Sequence, residues 1–127
     1  MITSHSEETR YKTAFSDDTH KAYADASIEK GGGASGFGPH GLLEASVACC
    51  INIWLRMYAD KHEIPLHEVT ASVWLNRETP GETILEYSVE LNGPLNEDQR
   101  EDVRRQAELC PVCQTLSRNI SFQKRRN

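Results

Sequence analysis

Apolar side chains fall on nearly every side of a helical projection between residues 42 and 59: Leu42, Leu43, Ala45, Val47, Ala48, Cys49, Cys50, Ile51, Ile53, Trp54, Leu55, Met57, Tyr58 and Ala59. A surface helix shows one apolar stripe, so this distribution predicts a central core helix buried nearly all round. Glu44, Ser46, Asn52 and Arg56 interrupt the run, and it is barely long enough to cross a bilayer, so a membrane span is not expected. The helix opens at Pro39 and ends before Pro65, because proline disfavours helical geometry in the residue preceding it.

On either side the period changes to two. Residues 69–77 alternate with Val69, Ala71, Val73 and Leu75 on one face, and residues 82–92 carry Ile84, Tyr87, Val89 and Leu91. Thr79-Pro80-Gly81 between them is turn chemistry, which predicts an antiparallel hairpin. Residues 9–15 and 20–26 flank the turn formers Ser16 to Thr19 and predict a shorter hairpin near the N-terminus. Residues 30–39 hold five glycines, whose backbone entropy opposes any regular element, so this stretch is a loop. After Asn92-Gly93-Pro94, Asn96 and Gln99 have the spacing of a capping box that opens a charged helix running to about Leu109. Cys110-Pro111 interrupts it, with Pro111 suited to the first position of a new short helix over residues 112–116. Residues 119–123 are predicted to close the sheet as a last strand. The order of elements is that of a single α+β domain over residues 1–127.

The chain has 127 residues, of which 38% are hydrophobic and 26% charged. That apolar share is low for a small domain, and it is explained if part of the core lies at a subunit interface, so a homo-oligomer is expected. Fourteen basic against 19 acidic side chains give a net charge of −5. The only basic cluster is a short one at Lys124 to Arg126, and nucleic-acid affinity requires clustered Lys and Arg, so nucleic acid is not an expected partner. The first eleven residues are polar and lack the apolar stretch of a signal peptide, which predicts a cytoplasmic protein. In that compartment four cysteines point to catalysis, redox chemistry or metal binding ahead of structural disulfides.

Cys49 and Cys50 are neighbours on the long helix, so their side chains diverge by about 100° and only one can face a given cavity. Cys110 precedes Pro111 as the N-cap of the next helix, where unpaired backbone N–H groups and the helix dipole stabilise a thiolate and are expected to lower its pKa. Cys110 to Cys113 also spells C-x-x-C, a redox or zinc signature. A helix precedes it and the strands read as antiparallel hairpins, so the βαβ setting of a thioredoxin-like site is missing. Adjacent helical cysteines diverge too far to chelate zinc comfortably with the other pair, and no metal is expected. No flavin or nicotinamide fingerprint occurs, so no bound cofactor is expected.

The run from Gly38-Pro39-His40-Gly41 through Leu42-Leu43-Glu44-Ala45-Ser46-Val47-Ala48-Cys49-Cys50 to Leu55-Arg56-Met57-Tyr58-Ala59 resembles the central-helix motif of the OsmC family, the osmotically inducible and organic-hydroperoxide-resistance proteins. Cys110-Pro111-Val112, followed by Thr115-Leu116, resembles that family's second motif. The two motifs in this order and separation are specific, and the element order matches over nearly the whole chain. The resemblance implies an α+β OsmC-like fold and an intertwined homodimer, with two long central helices wrapped by antiparallel sheets. It implies thiol-dependent reduction of organic hydroperoxides at the dimer interface, with Cys50 as the peroxidatic residue and Cys110 as the resolving one. Cys49 then falls on a small-residue packing position. The reductant implied is an external dithiol of the lipoyl type, free or carried on a lipoylated protein.

The chain departs from the family pattern at one point. The peroxidase branches place a glutamate just after the helix-opening proline and pair it with an arginine from the N-terminal hairpin; here those positions read His40 and Gly41, and Arg10 is the one arginine in the N-terminal third. Glu44 is six residues before Cys50, roughly 240° around a helix, and so does not share its face. His40, Glu44, Arg10 and Cys113 are the candidate auxiliary residues, with His40 as a cation or proton relay and Cys113 as a spare resolving thiol. His20 is a lesser candidate, and Arg56 is expected in an ion pair, with Glu44 of a partner helix as the counter-charge. Two other readings compete with the peroxidase: a ligand-binding or redox-sensing protein with little peroxidase activity, for want of the Glu/Arg pair, and a zinc-binding module.

Overall fold

Three short strands, β1 (Thr3–Ser6), β2 (Thr13–Ser16) and β3 (Lys21–Ala24), form an antiparallel sheet in the order β1-β2-β3. The computed structural model describes residues 1–126 and divides into two compact units, residues 1–43 and residues 44 onward; this sheet belongs to the first. The predicted hairpin forms around the predicted turn, but its strands are four residues long, shorter than the pattern suggested. Asp17 makes the turn by accepting hydrogen bonds from the backbone N–H groups of Thr19 (3.0 Å) and His20 (2.6 Å). β1 was not predicted: Thr-Ser-His-Ser is polar and exposed throughout and offers no period to read.

The glycine-rich segment is a loop as expected, entered through a 3₁₀ turn at Ile28–Lys30. Its order comes from one buried carboxylate. Asp25 accepts hydrogen bonds from the N–H groups of Ala26, Gly33 and Ser35 and from the Ser35 hydroxyl at 2.7 Å. The chain passes so close to β3 that a Cβ at Gly36 would sit 2.5 Å from the Tyr23 carbonyl oxygen, which makes glycine necessary there. The Ser35 N–H and hydroxyl, before the other donors, hold Asp25 down to about 2 from its ordinary 3.8. A depressed carboxylate supports the fold above its unfolded pKa and loses that contribution as pH falls through the folded one, so the loop is expected to loosen between about pH 4 and pH 2. The NMR shifts of the Gly33 and Ser35 amides check this; a transition of the same midpoint in Asp25→Asn would refute the assignment.

The long helix α1 spans Pro39–Lys61 and opens at the predicted proline. Its burial departs from the prediction. A single stripe at four-residue spacing, Val47, Ile51, Leu55 and Ala59, is buried, whereas Ile53 and Met57 on the opposite face are about half exposed (49% and 60%). The sequence shows apolarity on all sides, but among the described residues the packing partners lie against that stripe and leave Ile53 and Met57 half exposed.

Strands β4 (Glu68–Asn76) and β5 (Ile84–Asn92) form the predicted hairpin, with Val69 opposite Leu91, Ala71 opposite Val89, Val73 opposite Tyr87 and Leu75 opposite Leu85. These pairs put the apolar period on one face, and that face joins the α1 stripe in the core. By length and composition α1 resembles a membrane-crossing helix. Two of its interrupting polar residues are nonetheless fastened to β4: Asn52 Nδ2 donates to the Val69 carbonyl (2.8 Å) and Glu44 accepts from the Leu75 N–H (3.0 Å).

Helix α2 (Glu97–Arg105) starts with the predicted capping box: Asn96 accepts from the Gln99 N–H and the Gln99 side chain accepts from the Asn96 N–H. It is shorter than predicted, giving way to a 3₁₀ turn at Ala107–Leu109. Val103 and Ala107 are fully buried in the core, Tyr58 of α1 donates to Asp102 (3.0 Å), and Arg100 donates to the carbonyls of Leu91 and Gly93. Helix α3 (Pro111–Leu116) follows with proline in its first turn. The predicted last strand at 119–123 is absent. Those residues pair with no strand; Ile120 is largely exposed and Phe122 wholly so, because two apolar side chains give too little burial to hold an edge strand.

Candidate active site

Three of the four cysteines converge where α1 meets the start of α3. Cys110 caps α3 as predicted, its sulfur accepting from the Cys113 N–H at 3.3 Å. Pro111 then directs Val112 so that its N–H donates to Cys50 Sγ at 3.4 Å, across 62 residues of sequence. The Cys50 and Cys110 side chains interact, and the Cys113 side chain interacts with Cys110 in turn. All four cysteines are free thiols. Among the described residues no group of three or more His, Cys, Asp or Glu side chains is arranged to hold a metal ion.

Burial decides the electrostatics of this cluster. Cys110 is completely buried, and loss of solvent pushes its thiol up, reinforced by the Cys113 side chain and opposed by the Cys113 N–H and the Cys50 thiol. The expected lowering of the Cys110 pKa is therefore corrected: the cap bond is present, but desolvation outweighs it. Cys50 is also raised, first by burial, with the Val112 N–H working in the opposite direction. Cys49 is exposed on α1 and is not packed within the chain.

The other candidates divide. Glu44 is occupied by the Leu75 N–H, so it fixes β4 and does not face Cys50. Arg56 donates through Nε to Asn52 Oδ1 (2.9 Å), and among the described residues it makes no ion pair. Arg10 and His40 belong to the first unit, where the Arg10 guanidinium lies 5.5 Å from the Tyr11 ring centroid and His40 is the exposed second residue of α1. His20 pairs with Asp17 at the exposed hairpin turn. Two residues not singled out in the sequence stand beside Cys113: the Tyr87 hydroxyl donates to Glu108 at 2.9 Å, and burial together with that bond pushes Tyr87 up to about 12. Tyr87 continues the strand alternation and Glu108 lies in a charged stretch, so neither had a local signal of its own.

A long helix laid against a hairpin, with its Cys50 facing Cys110 at the mouth of a proline-started helix, defines an α+β protein with two thiols meeting from distant parts of the sequence. Residues 31–124 match the family model described as OsmC-like protein, and the chain belongs to that family. Its fold is shared with an OsmC-like protein from Mycoplasma pneumoniae (23% identity, TM-score 0.75, covering 92% of this chain and 86% of that one). It is likewise similar to an organic hydroperoxide resistance protein from Legionella pneumophila (22%, TM-score 0.66, 91% and 87%) and to the organic hydroperoxide resistance protein OhrB of Bacillus subtilis (19%, TM-score 0.61, 91% and 87%). No curated protein matches the chain by sequence.

Proposed function

We propose that the protein is a thiol-dependent peroxidase that reduces organic hydroperoxides through Cys50 and Cys110. The observation that carries this reading is the meeting of these two thiols, distant in sequence, at one point in the core. Membership of a family some of whose proteins are named for hydroperoxide resistance supports it.

In the reaction, the Cys50 thiolate attacks the terminal oxygen of the hydroperoxide, the O–O bond breaks and the alkoxide leaves as an alcohol after taking a proton. Cys50 is then a sulfenic acid. Cys110 attacks its sulfur, a disulfide forms and water departs, and an external dithiol returns both residues to thiols. The Val112 N–H helps by favouring the charged form of Cys50. A cleft of about 370 Å³, walled by Cys50, Ile53, Trp54, Met57 and Pro111, offers an apolar seat for the organic part of the substrate.

The half-exposed Ile53 and Met57 are the basis for reading the α1 face as a homodimer interface, with the sheets of two single-domain chains wrapped about paired helices. A cytoplasmic location and a lipoyl-type dithiol, free or protein-bound, complete the reading; it needs no bound cofactor, metal, nucleic acid or membrane. The test is direct. Reduced protein is expected to consume cumene or tert-butyl hydroperoxide catalytically when dihydrolipoamide is supplied, and one equivalent of peroxide alone is expected to remove two thiols per chain. Peroxide left unconsumed in both assays would end the assignment.

A further inference from the structure

The peroxidase chemistry leaves Cys113 unused, although its N–H donates to the Cys110 sulfur at 3.3 Å and its side chain interacts with that thiol, as the Cys50 side chain does. It occupies the third position of α3, one turn from Cys110, where side chains of neighbouring turns meet. Cys110 thus stands between two thiols. The surroundings of those two differ. Cys50 opens on the apolar cleft along α1, together with Cys49, Ile53 and Trp54. Cys113 opens on a different cleft of about 530 Å³, walled by Ile84, Leu116 and the hydrogen-bonded pair Tyr87 and Glu108. Cys110 lines neither cleft and is wholly buried. Of these two clefts, a Cys50–Cys110 bridge is therefore presented on the one along α1, and a Cys110–Cys113 bridge on the other.

We propose that Cys113 is an exchange thiol, which passes the oxidised state from the Cys50–Cys110 bridge to a Cys110–Cys113 bridge so that hydroperoxide and dithiol reductant use separate clefts. The proposal rests on the peroxidase reading for the origin of the first bridge. In the exchange, the Cys113 thiolate attacks Cys110 Sγ, the Cys110–Cys113 bond forms and the Cys50–Cys110 bond breaks. Cys50 leaves as a thiolate beside the Val112 N–H and takes up the proton that Cys113 released through solvent, so the step is redox-neutral. A dithiol then attacks Cys113 in the second cleft, its other thiol resolves the mixed disulfide, and the reductant leaves as a disulfide. Cys50 is already reduced by then and free to meet the next hydroperoxide.

Disulfide mapping follows the order of events. Reduced wild-type protein is given one equivalent of tert-butyl hydroperoxide, quenched in acid at successive times and digested for mass spectrometry. The Cys50–Cys110 bridge is expected first and the Cys110–Cys113 bridge afterwards, as the main product. Cys113→Ser is expected to stop at the first bridge, with dithiothreitol-supported turnover severalfold slower than wild type. A wild-type Cys50–Cys110 bridge that persists unchanged overturns the exchange and leaves the peroxidase reading standing. If peroxide leaves all the thiols reduced, the peroxidase reading fails instead, and diamide then decides the exchange. Under diamide, a Cys110–Cys113 bridge in the wild type supports it, and a Cys50–Cys110 bridge alone overturns it.

Discussion

Replacing Cys50 with serine is expected to bring hydroperoxide turnover to background while leaving the fold in place. Serine keeps the size of the side chain and can still accept the Val112 N–H, so far-UV circular dichroism and the thermal midpoint should change little. What it lacks is an ionisable, polarisable sulfur, and the thiolate is the nucleophile that opens the O–O bond. Cys110→Ser gives a contrasting result: one hydroperoxide takes Cys50 to the sulfenic acid, and, with the resolving partner gone, a second takes it on to the sulfinic acid, where turnover stops. The pH dependence follows from burial. Because desolvation raises the Cys50 thiol, the thiolate fraction at neutral pH is small and grows with alkalinity, so single-turnover rates should climb as pH is raised above 7. Wild-type rates in Cys50→Ser, measured by loss of cumene hydroperoxide, would move the chemistry to another residue.

The second large effect concerns stability. Leu55 is completely buried in the stripe of α1 and belongs to the same core cluster as Ile51, Val103, Ala107 and Cys110. Leu55→Ala removes three carbons from a site with helix on both sides and is expected to cost about 2–5 kcal/mol. A domain of ordinary stability has only about 5–15 kcal/mol in total, so the variant should unfold at a markedly lower urea concentration. Ile53→Ala is the internal control. Its side chain is half exposed, so the loss within the chain should be small, and any larger loss that depends on protein concentration would reflect the proposed dimer. Equal urea midpoints for Leu55→Ala and the wild type would contradict the packing described.

What could be read from the sequence was local. The Asn96 and Gln99 capping box, the start of α1 at Pro39, the alternation of Val69 to Leu75 and the Cys110-Pro111 helix start each depend on side chains within a few residues of one another, and each is present. Of the proposed site, Cys50 and Cys110 stand out in the sequence through their resemblance to the family motifs, and the fold brings these two thiols together. Features that depend on distant parts of the chain were not legible. The Cys110 cap was readable as a bond, but its sign on the pKa was set by complete burial, which only tertiary structure supplies. Ile120 and Phe122 have the alternation of a strand, but these two side chains stay exposed and bury too little to hold one. β1 has no apolar period at all and exists because β2 offers it a hydrogen-bonding edge.

The two bonds from α1 to β4 have an effect beyond fastening. Val69 and Leu75 have the same parity along β4, which is an edge strand because its sheet has only two strands, and one backbone group of each is bonded by a side chain of α1. An open strand edge of this kind is a template on which another chain can add a strand, the first step toward aggregation. Asn52 occupies the Val69 carbonyl and Glu44 the Leu75 N–H, one near each end of the strand. An incoming strand would have to displace an amide at one end and a carboxylate at the other. Asn52 and Glu44, two of the polar residues that break the apolar run of the long helix, thus act as guards on a neighbouring strand, against the chain templating its own precipitation.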